Sequence, residues 1–291
     1  RGGSDGGSYI YVTQGNNTLG FWRYDISEDS WEMLPDVPEG PSRKKVKGGT
    51  DMVYVELDGH GYVYLLKGYK QEFYRFNVVD GVWETLPEAP AGQYKKWDKG
   101  SWLCAENDTI IYAHKAKYHE LYRYHIAGDS FEQLNGMPYI GMMGRRKKSK
   151  DGGSGDYYDG MLYALKGGNT QQFWIYDVAA DTWGESDTIP TNGSTGRKRR
   201  VKYGAKLVNW AGGPAFFTLK GNKTVEMWRY VVPSMAFGYS PHRSGVLAGR
   251  TGRLTAVEID RNLVAELERD ETLAGVTILR GDILSKPLPE W

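Results

Sequence analysis

The sequence predicts an all-β chain of about five repeated units, each of four short strands. Three observations carry this. Aromatic residues and glycine are abundant, with 21 Tyr, 10 Trp, 8 Phe and 38 Gly in 291 residues. Apolar runs stay short, and that combination favours many short strands joined by turns. One aromatic block also recurs along the chain, and the segments between its copies align as further strands.

Self-similarity at such a period marks repeat architectures. The block GFWRYDISEDSWEMLPDVPEG recurs as EFYRFNVVDGVWETLPEAPAG, ELYRYHIAGDSFEQLNGMPYIG and QFWIYDVAADTWGESDTIPTNG, with a partial copy EMWRYVVPS. Tyr24, Phe76, Tyr124, Tyr176 and Tyr230 align at spacings of 52, 48, 52 and 54 residues. Trp31, Trp83, Phe131 and Trp183 follow the first four of them by seven residues.

Taken in order, strand a is read in TDMVYVE and AKLVNWA. Strand b is the set YIYVTQG, YVYLLKG, IIYAHKA, LYALKGG and AFFTLKG. Strand c is the aromatic segment. A turn such as SEDS or AADT leads to strand d, WEML or TWGES. The first unit shows no strand a and the last no strand d, so both are expected to be incomplete.

The small pair after strand b, most nearly Gly167-Gly168, and the Tyr/Trp pair that follows resemble the kelch repeat. The other copies hold Gly15-Asn16, Gly68-Tyr69, Ala116-Lys117 and Gly221-Asn222 at the first feature. The resemblance runs from residue 8 to about 232, within a first domain of residues 1–240. It implies a β-propeller of four-stranded blades whose aromatics pack blade on blade.

The chain carries 37 Lys+Arg against 36 Asp+Glu, yet its cations cluster. RKKVKGG, YKKWDKG, RKKSKDG and KRRVKYG all lie between strand d of one unit and strand a of the next. The candidate anion-binding set is Lys44, Lys45 and Lys47; Lys95, Lys96 and Lys99; Lys147, Lys148 and Lys150; Arg199, Arg200 and Lys202. A cluster repeated at one structural position is not a localisation signal. In the implied fold the b–c loops share a face with these clusters and add Lys67, Lys70, Lys115, Lys117, Lys166, Lys220 and Lys223. The opposite turns are acidic, with Glu28, Asp29, Asp58, Asp80, Glu106, Asp108, Asp129, Asp159 and Asp181. Alternation in KVK sends Lys45 and Lys47 to the same side. Like charges held together repel unless an anion offsets them.

The expected function is therefore a non-enzymatic binding propeller whose basic face and channel mouth take an acidic protein surface, an anionic glycan or another anion; the alternative is an enzyme, either a methyltransferase remnant or a site in the propeller channel. No recognition helix or RNA-binding strand motif is apparent, and the pI of about 7.9 argues against nucleic acid. No apolar run approaches the roughly 18 residues of a membrane span. Cys104 is the only cysteine, which excludes an intramolecular disulfide and a Cys-based zinc site. No cofactor is expected. Asp51 and Asp156 are the carboxylates an enzyme site in a propeller channel would use, although ordinary strand positions explain them too. The family resemblance alone implies an extracellular setting.

From residue 241 the composition changes. LTAVEID, RNLVAELERDETL and GVTILRGDIL read as strand, helix and strand. AVEID and GDIL…PLP resemble the rRNA adenine dimethyltransferase family, a Rossmann-like fold that uses S-adenosylmethionine. The resemblance maps the ribose-binding acid to Glu258 and the adenine-binding acid to Asp282. The family's Gly-rich loop and N-[LI]-P-[YF] motif are absent from residues 241–291. The segment is thus expected to be a partial methyltransferase fragment that neither binds cofactor nor catalyses.

Overall fold

The computed structural model describes residues 2–193, 196–211, 213–233, 254–258 and 277–280. The first repeat forms β1 (Gly2–Ser4), β2 (Tyr9–Thr13), β3 (Phe21–Asp25) and β4 (Ser30–Leu34). The second forms β5 (Asp51–Leu57), β6 (His60–Leu66), β7 (Phe73–Asn77) and β8 (Val82–Leu86). The third forms β9 (Trp102–Ala105), β10 (Ile110–Lys115), β11 (Glu120–His125) and β12 (Ser130–Leu134). The fourth forms β13 (Ser154–Tyr158), β14 (Met161–Leu165), β15 (Phe173–Asp177) and β16 (Thr182–Glu185). The fifth forms β17 (Lys206–Asn209), β18 (Ala215–Leu219) and β19 (Met227–Val231), followed by β20 (Leu254–Glu258) and β21 (Thr277–Arg280). Strands pair in chain order within each sheet. The fold is all-β: five blades of a β-propeller, with no helix among the described residues.

Both terminal repeats differ from expectation. The first has a strand a, Gly2–Ser4, which pairs antiparallel with β2 through Gly2↔Val12, Gly3↔Tyr11 and Ser4↔Ile10. Gly-Gly-Ser has no strand preference, but a ladder needs only backbone donors and acceptors. In the fifth, β20 takes the strand d position, antiparallel to β19 from Met227↔Val257 to Tyr230↔Leu254. β21 then pairs parallel with β20. The helix expected at 261–273 and Asp282 lie outside the described residues. Glu258 ends β20.

The blades fall into two compact units. The first holds Arg1–Ile140 and Lys148–Lys150, hence blades one to three. Here Phe21 meets Phe76 and Trp83 of the next blade at ring centroid distances of 5.1 and 5.0 Å. Phe73 meets Tyr124 and Phe131 at 5.0 and 5.6 Å. Asp51, fully buried, accepts the Leu103 amide at 3.1 Å and so ties strand a of blade two to strand a of blade three. The second unit holds Gly141–Lys147 and Asp151–Trp291. Phe173 meets Tyr230 at 4.9 Å, and Asp156 accepts the Asn209 amide at 2.7 Å. These two aspartates thus join strands. An aromatic pair also joins strands c and d in each of the first four blades: Tyr24–Trp31, Phe76–Trp83, Tyr124–Phe131 and Tyr176–Trp183, at 4.8 to 5.1 Å.

The acidic turns have a local cause. Asp29, Asp129 and Asp181 adopt left-handed backbone, with φ of 48°, 45° and 51°. Each accepts the hydroxyl of the strand c tyrosine five residues earlier: Tyr24, Tyr124 and Tyr176. Asp58 and Asp159 hold positive φ in the a–b turns. Aspartate tolerates this region better than most side chains.

Candidate anion-binding cleft

Each basic cluster is built around one buried residue: Val46, Trp97, Ser149 or Val201. Its carbonyl accepts a backbone amide from the b–c loop of the preceding strand pair. The donors are Asn17 (3.0 Å), Tyr69 (2.7 Å), Lys117 (2.8 Å) and Asn169 (3.0 Å). The buried residue points inward, so its flanking neighbours point to water. Lys45, Lys47, Lys96, Lys148, Lys150 and Arg200 are exposed, while Lys202 is half-buried. A glycine ends each cluster, with φ of 99° at Gly49, 94° at Gly100, 86° at Gly152 and 85° at Gly204. That glycine turns the chain into strand a.

The third cluster uses polar anchors. The Ser149 amide donates to His119 Nε2 at 2.8 Å, so that nitrogen carries no proton. His119 Nδ1 therefore donates to the Met137 carbonyl at 2.7 Å. The Ser149 hydroxyl meets His114 Nε2 at 2.9 Å. Ser149, His114 and His119 are all buried.

The lysines ending strand b do not join the exposed face. Lys67, Lys115, Lys166 and Lys220 have no exposed surface. Lys67 lies 3.2 Å from Glu72, Lys115 3.2 Å from Glu120 and Lys220 2.6 Å from Glu226. Their ammonium groups also hold the root of the preceding d–a loop. Lys67 donates to the carbonyls of Pro38 and Glu39 at 2.8 and 2.7 Å, and Lys220 to Thr191 at 3.0 Å. The carboxylates hold the same loops from the other side: Glu72 accepts the Ser42 amide at 2.8 Å and Glu120 the Gln93 amide at 2.7 Å. Burial keeps Lys67, Lys115 and Lys220 below the usual lysine range, more strongly than the partner carboxylates raise them. Blade four holds Gln172 in the carboxylate position, and Met142 donates its amide to Glu185 instead. Burial there pushes Lys166 down to about 8.

With these roots fixed, four loops of the first unit enclose an open cleft of about 700 Å³. The β4–β5 loop contributes Lys44, Lys45, Lys47 and Gly48, and the β8–β9 loop Lys96 and Lys99. The b–c loops add Asn16, Asn17, Gly68, Tyr69 and Lys70. Lys96 Nζ lies 4.1 Å from the Tyr69 ring centroid and 3.7 Å from Asp98. Among the described residues, no carboxylate lies within 4.0 Å of Lys44, Lys45, Lys47, Lys70 or Lys99. Like charges gathered on one concavity repel one another.

Five of the predicted cations thus share one cleft. Lys95, Lys148 and Lys150 are exposed in the same unit but do not line it. Lys147, Arg199, Arg200 and Lys202 belong to the second unit. Sequence reasoning placed Lys70 in the b–c loop set but missed Asn16, Asn17 and Tyr69 as partners of the cluster. Asn16, Asn17 and Tyr69 have φ of 47°, 66° and 64°, and the paired asparagines are a left-handed turn signature visible in the sequence. Among the described residues, no group of three or more His, Cys, Asp or Glu is placed to hold a metal ion. No protein-family model matches this chain, and no curated protein matches it either.

Proposed function

We propose that the chain is a kelch-type β-propeller acting as a non-enzymatic binding module, with the basic cleft taking an anionic ligand or acidic partner. The segment from residue 241 is, on this reading, a partial methyltransferase-like fragment. The observation that carries the binding role is the cleft itself: six lysines on one concavity, of which Lys96 alone has its ammonium within 4.0 Å of a carboxylate among the described residues, that of Asp98. Solvated surface lysines ordinarily sit among carboxylates of similar number. Buried ion pairs and hydrogen bonds to backbone hold the roots of the loops that carry these lysines. The kelch reading is supported by Gly167-Gly168, both at φ of 63°, and by the repeated Tyr/Trp pair.

Retention on a heparin column is the direct test. The protein is expected to bind at low salt and elute as salt screens the contact. Joint reversal of Lys44, Lys45, Lys47 and Lys96 to Glu is expected to move elution to much lower salt. An unchanged elution position rejects the cleft as the binding surface.

A further inference from the structure

We propose that the cleft recognises a short segment of an anionic glycan, carrying sulfate or uronate groups. This rests on the anion-binding reading above and names its ligand class. All six cations of the cleft are lysines. Arginine is enriched and lysine depleted in protein interfaces, so an all-lysine lining speaks against a protein partner. An ammonium on a flexible stem instead meets anionic groups scattered along a chain.

Nucleic acid fits less well. Single strands are held by successive aromatic platforms, and among the described residues lining the cleft Tyr69 is the one aromatic. Its backbone is tied to Trp97 and its ring is covered by Lys96. Asn16 and Asn17 add neutral amides, both exposed on a left-handed turn. A primary amide both donates and accepts, which matches sugar hydroxyls. A cleft of about 700 Å³ lies within the range of small-ligand sites. Being open, it suits a few rings of a longer chain.

Calorimetry with four probes of matched charge tests this: a heparin-derived oligosaccharide, an oligouronate, single-stranded DNA and oligoglutamate. At about 0.15 M NaCl, at least one glycan is expected to bind roughly tenfold tighter than DNA or peptide. Whether one glycan or both do so identifies the anionic group. Asn16→Gly with Asn17→Gly suits the left-handed backbone and removes both amides. That variant is expected to lose about tenfold in glycan affinity while DNA and peptide are unaffected. Equal or tighter binding of DNA or peptide overturns the glycan assignment, as does a variant that weakens all probes alike or none. The underlying reading fails separately, if no probe binds or if the four-lysine reversal changes none of them.

Discussion

The ammonium of Lys67 lies 3.2 Å from the carboxylate of Glu72, and both groups are sealed from water. The pair sits where strand b gives way to the b–c loop and the loop to strand c, and it grips the loop from the blade before it. It recurs as Lys115–Glu120 and Lys220–Glu226. A buried pair is weak evidence of net stabilisation, because desolvation offsets the attraction. Its consequence here is placement: the basic loop leaves a fixed root.

Removing one partner should be worse than removing both. Glu72→Gln leaves a buried ammonium without its counter-charge, at a cost of about 3–5 kcal/mol. Lys67→Met with Glu72→Leu removes both charges and should cost less than the single change. Urea midpoints of the two variants check this, and a double variant less stable than Glu72→Gln contradicts it.

Lys166 should make stability rise through mildly alkaline pH. Burial disfavours its charged form and pushes its pKa in the folded protein down to about 8, from about 10.5 in an exposed lysine. Below about pH 8 the cost of charging it is fully present. Between there and about pH 10.5 the unfolded chain binds more protons, so stability increases with pH, by up to about 3 kcal/mol. Burial raises the Tyr163 pKa, so tyrosine ionisation lowers stability only above about pH 10. Urea midpoints from pH 7 to 10 should converge between the wild type and Lys166→Met if the wild type starts lower. Parallel profiles would contradict the assignment.

The glycines ending the basic clusters are not equivalent. A Cβ at Gly49 would lie 2.6 Å from the Trp97 carbonyl oxygen, on backbone with φ of 99°. At Gly204 the nearest atom is 3.8 Å away, with φ of 85°. Gly204→Ala should therefore cost only the conformational strain, about 1–2 kcal/mol. Gly49→Ala should cost clearly more, since backbone must move. Thermal midpoints decide, and equal losses would show that φ alone sets the requirement.

Much of the blade was legible in the sequence. Strands b and c of all five repeats, and strand d of the first four, carry apolar and aromatic residues at a fixed register and lie where that pattern places them. Gly2–Ser4 was not legible, because a backbone ladder recruits residues that have no strand preference of their own. The second partner of the cleft was partly legible: Asn16-Asn17 is a turn signature, but nothing local ties it to Lys44–Lys47. The hydrogen bond from Asn17 to Val46 makes that connection.

Four basic clusters at one repeated position, with Lys45 and Lys47 on the same side of their segment, are legible from local pattern alone. Which lysines meet water depends instead on packing between distant segments. Lys45 and Lys67 look alike in sequence, yet one is exposed on the cleft and the other fully buried. The difference depends on Pro38 and Glu39, 29 and 28 residues before Lys67, whose carbonyls come to its ammonium. A charge leaves water only where such partners converge, and that convergence is a property of packed blades.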